Sequence, residues 1–117
     1  MPNPSDHKDK ADKNQEFSQT IAEEHSEYND WIITAKFYSA LHYVDKVLVE
    51  EGYKTENHGE RFEKIEQARN IPPRVRSLYS TLYDLSEQAR YKCIELQQGQ
   101  VNSADKALTE IKKELDV

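Results

Sequence analysis

Residues 31–49, WIITAKFYSALHYVDKVLV, restrict the possible folds more than any other stretch of this chain. At about 100° per residue, Lys36, Ser39, Tyr43, Lys46 and Glu50 fall on one narrow polar stripe. Trp31, Ile33, Phe37, Tyr38, Ala40, Leu41, Val44, Val47 and Leu48 cover most of the remaining circumference. A helix apolar over so wide an arc must be covered on more than one side, which makes it the central helix of a bundle. Composition points the same way: three Gly and four Pro in 117 residues leave little material for hairpins. The class is all-α.

In chain order, residues 1–14 are polar, mixed in charge and without large apolar groups, which predicts a disordered tail ahead of a single domain over 15–117. A first helix over about 15–28 presents Phe17, Ile21 and Tyr28, with His25 one turn after Ile21. Asn29 or Asp30 then caps the central helix. Gly52 supplies the left-handed residue that closes it near Glu51. A shorter helix over about 59–69 carries Phe62 and Ile65 on one side, and Pro72-Pro73 ends it, because Pro72 forces Ile71 out of helical geometry. Pro73 opens a fourth helix reaching about Leu96, with a seam of Val75, Leu78, Leu82, Leu85, Ala89 and Leu96. Beside that seam runs a polar and aromatic stripe of Arg76, Tyr79, Tyr83, Ser86 and Arg90, with Glu87 and Tyr91 adjoining. The turn QQGQ leads to a last helix from about residue 103, whose buried face is Val101, Ala104, Leu108, Ile111 and Leu115.

Net charge is −6, which argues against a protein that coats nucleic acid. Residues 1–30 hold eight acids against three lysines, so the acidity is concentrated there and the bundle is near neutral. Only 61–76 is locally basic, and its simplest reading is a solvated surface with local ion pairs. The lone Cys93 excludes an internal disulfide and a cysteine zinc site, and reads as a small core residue. No uncharged run is long enough for a membrane span, and the N-terminus lacks the apolar segment of a secretory signal, so a cytoplasmic protein is expected.

Glycine-rich phosphate loops, G-x-S-x-G and H-E-x-x-H are all missing, and no histidine follows a glutamate by three residues as di-iron bundles require. A lone-metal site of His42, Asp45 and His58 is conceivable, with His42 and Asp45 one turn apart. Zinc usually asks for three or four converging ligands, however, and no metal or cofactor is expected. What remains is a set of polar groups. His42 borders the apolar arc, one turn from Tyr38 and Asp45. His58-Gly59-Glu60-Arg61 opens the third helix, where unpaired N–H groups favour an anion unless Asn57 caps them. Tyr83, Arg90 and Tyr91 sit late on the fourth helix. Metal-free RNA cleavage needs a base, an acid and a cation, roles that His42, His58 and Arg61 or Arg90 can share if they converge.

FYSALHYVDKVL on the central helix, HGER at the start of the next and LYDLSEQARY on the fourth together resemble the HEPN superfamily of prokaryotic helical bundles, across about residues 28–115. The resemblance implies an up-and-down bundle of four or five helices that forms a homodimer. It also implies service in a toxin–antitoxin or defence system beside a nucleotidyltransferase or a toxin or antitoxin partner. The ribonuclease members carry an Arg followed four to six residues later by His. None of Arg61, Arg69, Arg74, Arg76 and Arg90 has such a histidine downstream. The expectation is therefore a non-catalytic module that binds a nucleotide, RNA phosphate or a partner protein, with Tyr38, His42, Asp45, His58, Arg61, Tyr83, Arg90 and Tyr91 as candidate site residues. A divergent ribonuclease and a purely structural dimerisation module are the alternatives.

Overall fold

A computed structural model describes residues 2–25, 28–92 and 95–117. Among them the chain forms five α-helices, α1 (Pro4–Glu24), α2 (Asn29–Glu50), α3 (His58–Gln67), α4 (Pro73–Tyr91) and α5 (Gln98–Leu115), and no strand. The helices pack into a bundle, as the sequence requires, and none is long and apolar enough to cross a membrane. Cys93 lies outside the described residues.

The central helix is buried more completely than its pattern predicts. Lys36, Ser39 and Tyr43, three of the five residues on the expected polar stripe, are as buried as Phe37, Leu41 and Val44 of the apolar arc. The cover is α1. Ser39 Oγ donates to the Ala11 carbonyl at 2.9 Å, the Tyr43 hydroxyl donates to Asp12 Oδ1 at 2.5 Å, and Lys36 Nζ reaches Ser18 Oγ at 3.5 Å and Asp105 on α5 at 2.9 Å. Each buried polar group on this stripe is thus matched across the helix–helix contact, as its desolvation demands.

Residues 4–14, expected as a disordered tail, are therefore the first half of α1, a correction with a local cause. Asn3 accepts from the Asp6 N–H while the Asp6 carboxylate accepts from the Asn3 N–H, and Pro4 stands in the first turn where its missing N–H costs nothing. The buried face of α1 is Ala11 and Ser18, small residues that let it lie close on α2; Phe17, assigned to the inner face, is 52% exposed. A search for large apolar groups passes over such a face.

Other boundaries shift for similar reasons. Neither Asn29 nor Asp30 caps α2; Tyr28 occupies that position, and the Asn29 amide instead donates to the Leu96 carbonyl at 2.8 Å. At the other end Gly52 has φ +89°, the left-handed geometry expected of it. Glu51 then receives two successive amides, Arg69 N–H at 2.8 Å and Asn70 N–H at 3.0 Å, tying the turn after α3 to the end of α2. Helix α4 stops at Tyr91, and α5 begins at Gln98 rather than near 103, because Gln97 and Gln100 form a reciprocal cap that draws Gly99 into the helix. The deepest row on α4 is Val75, Tyr79, Leu82 and Ser86, so two members of the expected polar stripe face the core while Leu78, Leu85 and Ala89 are half-buried. In the basic stretch, Arg74 pairs with Glu110 at 2.7 Å and Arg76 with Glu66 at 2.6 Å, in line with the local ion pairs expected there.

Candidate functional site

The candidate residues fall around two hollows separated by a wall of aromatic rings. The first, about 240 Å³, lies where α1, α2 and α3 meet and is lined by His7, His42, Asp45, Thr55 and Arg61 among others. Helical spacing puts His42 and Asp45 on one edge of α2, and α3 brings Arg61 against them. Arg61 grips Asp45 with both arms, Nε to Oδ1 at 2.8 Å and Nη2 to Oδ2 at 3.2 Å, with both side chains buried. Thr55 Oγ1 adds a longer contact to Oδ1 at 3.4 Å. Two parallel bonds of this kind fix the carboxylate plane as well as its charge. Burial alone would lower the Arg61 value, but the hydrogen bonds and charge of Asp45 outweigh it and hold the guanidinium above its usual range.

Opposite this pair stands a residue of the segment expected to be a disordered tail. His7 turns its Nδ1 to the Nδ1 of His42 at 2.9 Å, with the ring planes 28° apart. His42 is held down to about 4, first by burial and then by the charge of His7, with Asp45 pulling weakly the other way. The imidazole of His42 is thus neutral across the physiological range.

The second hollow, about 390 Å³, is lined by Asp30, Trp31, Thr34, Tyr38, Ala89 and Arg90. Here every arm of Arg90 is engaged: Nε donates to the Ser86 carbonyl, Nη1 to the hydroxyls of Tyr38 (3.1 Å) and Tyr91 (3.3 Å), and Nη2 to Ser86 Oγ, with Glu87 at 3.5 Å. Its guanidinium carbon also lies 4.9 Å from the Tyr91 ring centre and 5.5 Å from those of Phe37 and Tyr38. Trp31, placed by its pattern on the buried arc, is 61% exposed at the rim, and Tyr91 is 69% exposed. Ile32 and Ile33, the neighbours of Trp31 in the chain, are fully buried, so the exposure belongs to the outward direction of the indole and not to the whole first turn of α2.

Between the hollows stand Phe37, Phe62, Tyr79, Tyr83 and His58. His58 packs edge-on to Tyr83 at 5.1 Å and against Phe37 at 5.9 Å, and its Nδ1 lies 3.4 Å from Arg61 Nη1. Burial first, then the charges of Arg61 and Arg90, lower its affinity for a proton. The Tyr79 hydroxyl is buried with no well-formed hydrogen bond among the described residues.

His42, Asp45 and Arg61 therefore come together, as do Tyr38, Arg90 and Tyr91, whereas His58 and Tyr83 belong to the wall and line neither hollow. The start of α3 is occupied from within: Asn57 Oδ1 accepts from the Glu60 N–H at 2.8 Å, and the Glu60 carboxylate accepts from the Glu56 N–H at 3.0 Å. A carboxylate at that end leaves poor terms for an external anion. His7 and Trp31 are the residues that the sequence reading missed. For His7 a signal existed, since Asn3-Pro4-x-Asp6 is a helix start; for Trp31 it did not, since hydropathy does not tell which ring of a wide apolar arc stays uncovered. No protein-family model matches the chain, and no curated protein does so either.

Proposed function

We propose that this protein is a non-catalytic binding module with a HEPN-like bundle, and that it takes a nucleotide base, free or in a short single-stranded RNA, on the aromatic hollow beside Arg90. The observation that carries the reading is the exposed indole of Trp31 lining one hollow with a guanidinium already held by three rings. All donors of Arg90 are spent on protein acceptors, so it orders the aromatic wall and leaves no arm to clasp a phosphate. Recognition by stacking suits such a surface, because a base laid on an aromatic side chain gains about 1–3 kcal/mol whatever its sequence. The net charge of −6 works against long RNA, whose affinity rests on phosphate neutralisation. In this proposal the protein acts as a homodimer in a toxin–antitoxin or defence system beside a nucleotidyltransferase or toxin-like partner. The division of His42, His58, Arg61 and Arg90 between a hollow, a wall and a second hollow favours binding over cleavage.

Trp31 is the only tryptophan, so its fluorescence reports on this hollow directly. Titration with nucleoside monophosphates and hexameric oligo(A) and oligo(U) is expected to quench it saturably, and Arg90→Gln, with helicity intact by circular dichroism, to weaken binding about tenfold. Unchanged emission at millimolar nucleotide, or full affinity in the variant, refutes the reading.

A further inference from the structure

The first hollow has a separate meaning that the binding reading does not use. We propose that His7, His42 and Asp45 form a site for a divalent metal ion of the zinc class, and that the ion fastens the start of α1 to α2.

Three observations converge. The first is distance. The two Nδ1 atoms are 2.9 Å apart and face one another. With zinc–nitrogen bonds of about 2.0–2.1 Å, two imidazoles sharing an ion hold their nitrogens about 2.9–3.4 Å apart, for angles between a right angle and a tetrahedral one. A ligand atom from each of His7, His42 and Asp45 lies within 4.8 Å of the other two. Drawing the carboxylate oxygen onto a common ion takes a side-chain movement on the order of 1 Å.

The second is the surroundings of the carboxylate. Arg61 and Thr55 bond Asp45 from the side of α3 and its preceding loop, Thr55 and Nε at Oδ1 and Nη2 at Oδ2. A carboxylate oxygen offers two lone pairs, so Oδ2 retains one beyond these bonds. Metal-bound carboxylates are commonly oriented by such outer partners.

The third is access. All three side chains line the same hollow of about 240 Å³, which leaves room for water to complete the coordination. Two imidazoles and one carboxylate suit zinc, cobalt or nickel. They do not suit calcium, which asks for six or more oxygens, or magnesium, which prefers oxygen and retains its waters. The Arg61 charge offsets that of Asp45, which further disfavours the hard cations.

Position gives the site its consequence. His7 comes from the charge-balanced, largely polar first half of α1, whereas His42 and Asp45 come from the buried core helix. An ion shared between them binds the docked arrangement and not the undocked one, and so stabilises α1 in place.

The test uses the full chain after chelator treatment and dialysis. Calorimetric titration with zinc chloride is expected to give one ion per chain and a raised melting temperature, with no such rise from magnesium. Zinc should also slow amide hydrogen exchange across residues 4–24. His7→Ala, a half-buried position on the outer helix, is expected to weaken zinc at least tenfold, and His25→Ala to leave it unchanged. Should His42→Ala fail to fold, the imidazole nitrogen resonances of the wild-type protein provide the same discrimination, since zinc should shift those of His7 and His42. Absence of zinc binding, full affinity in His7→Ala, an equal response to magnesium, or exchange in α1 that ignores the metal each overturns the proposal.

Discussion

The two sides of α2 are joined to their neighbours by different means. Toward α4, contact is made by rings: Phe37 lies 5.3–5.9 Å from Tyr38, Tyr79, Tyr83 and His58, with Arg90 above it. Toward α1, contact is made by small residues and matched polar groups, with Ala11 and Ser18 against Ser39, Tyr43 and Lys36. Apolar area sets the strength of the first joint and hydrogen-bond geometry that of the second. At roughly 25 cal/mol per Å² of apolar surface, a face of rings is stabilised far more than one of alanine and serine, whose net gain is about 1 kcal/mol per hydrogen bond. The bundle therefore has a firm, ring-packed side and a closely packed side held by matched polar groups.

The comparison breaks most visibly at Phe37. Phe37→Ala removes the ring at the centre of the firm side and should cost about 3–5 kcal/mol in urea denaturation; a loss below about 1 kcal/mol would show the aromatic wall to be incidental. Arg61→Met comes next. It leaves Asp45 buried and unpaired, for an expected loss of about 3 kcal/mol, while Asp45→Leu combined with Arg61→Met should recover most of that stability. Failure of the double variant to recover would mean that the pair does more than neutralise itself.

Tyr43→Phe should produce the smallest global effect, about 1 kcal/mol, concentrated in α1: faster hydrogen exchange over residues 4–24 and little change in α4. It also carries the pH dependence. Burial would raise the Asp12 carboxyl, but hydrogen bonds from Tyr43 and Lys8, with the charges of Lys8 and Lys112, outweigh it and hold the group below its ordinary 3.8. A carboxylate lowered on folding contributes stability that is complete above its unfolded value and lost as pH falls through the folded one. Acid opening of α1 is thus expected below about pH 4, with a shallower pH dependence in Tyr43→Phe. Equal slopes in the two proteins would remove Asp12 from the account.

These contrasts mark how far the sequence can be read. The firm side was legible because rings and branched side chains at helical spacing leave few arrangements open, and because Gly52 and Pro72-Pro73 punctuate the chain unmistakably. The α1 side was not. Composition gave residues 1–14 too little apolar mass to order themselves, whereas their helix rests on a reciprocal cap at Asn3 and Asp6 and on a partner surface visible only in three dimensions. Lys36, Ser39 and Tyr43 read only as a polar stripe for the same reason, since the surface of α1 that covers them is not visible in the sequence. At the site, spacing along α2 joined His42 to Asp45, whereas HGER tied Arg61 only to His58, and its grip on Asp45 follows from the fold. The pairing of His42 with His7 spans 35 residues and depended on a helix that had not been foreseen.

Helix α3 is pinned at both ends, by Asn57 before it and by the Glu51 carboxylate beyond it. Two adjacent amides held by a single side chain act like a hinge plate fixed with two screws: rotation of the turn has to break both at once. Arg61, carried between these two anchors, is thereby kept against Asp45 on the α3 side of the histidine hollow.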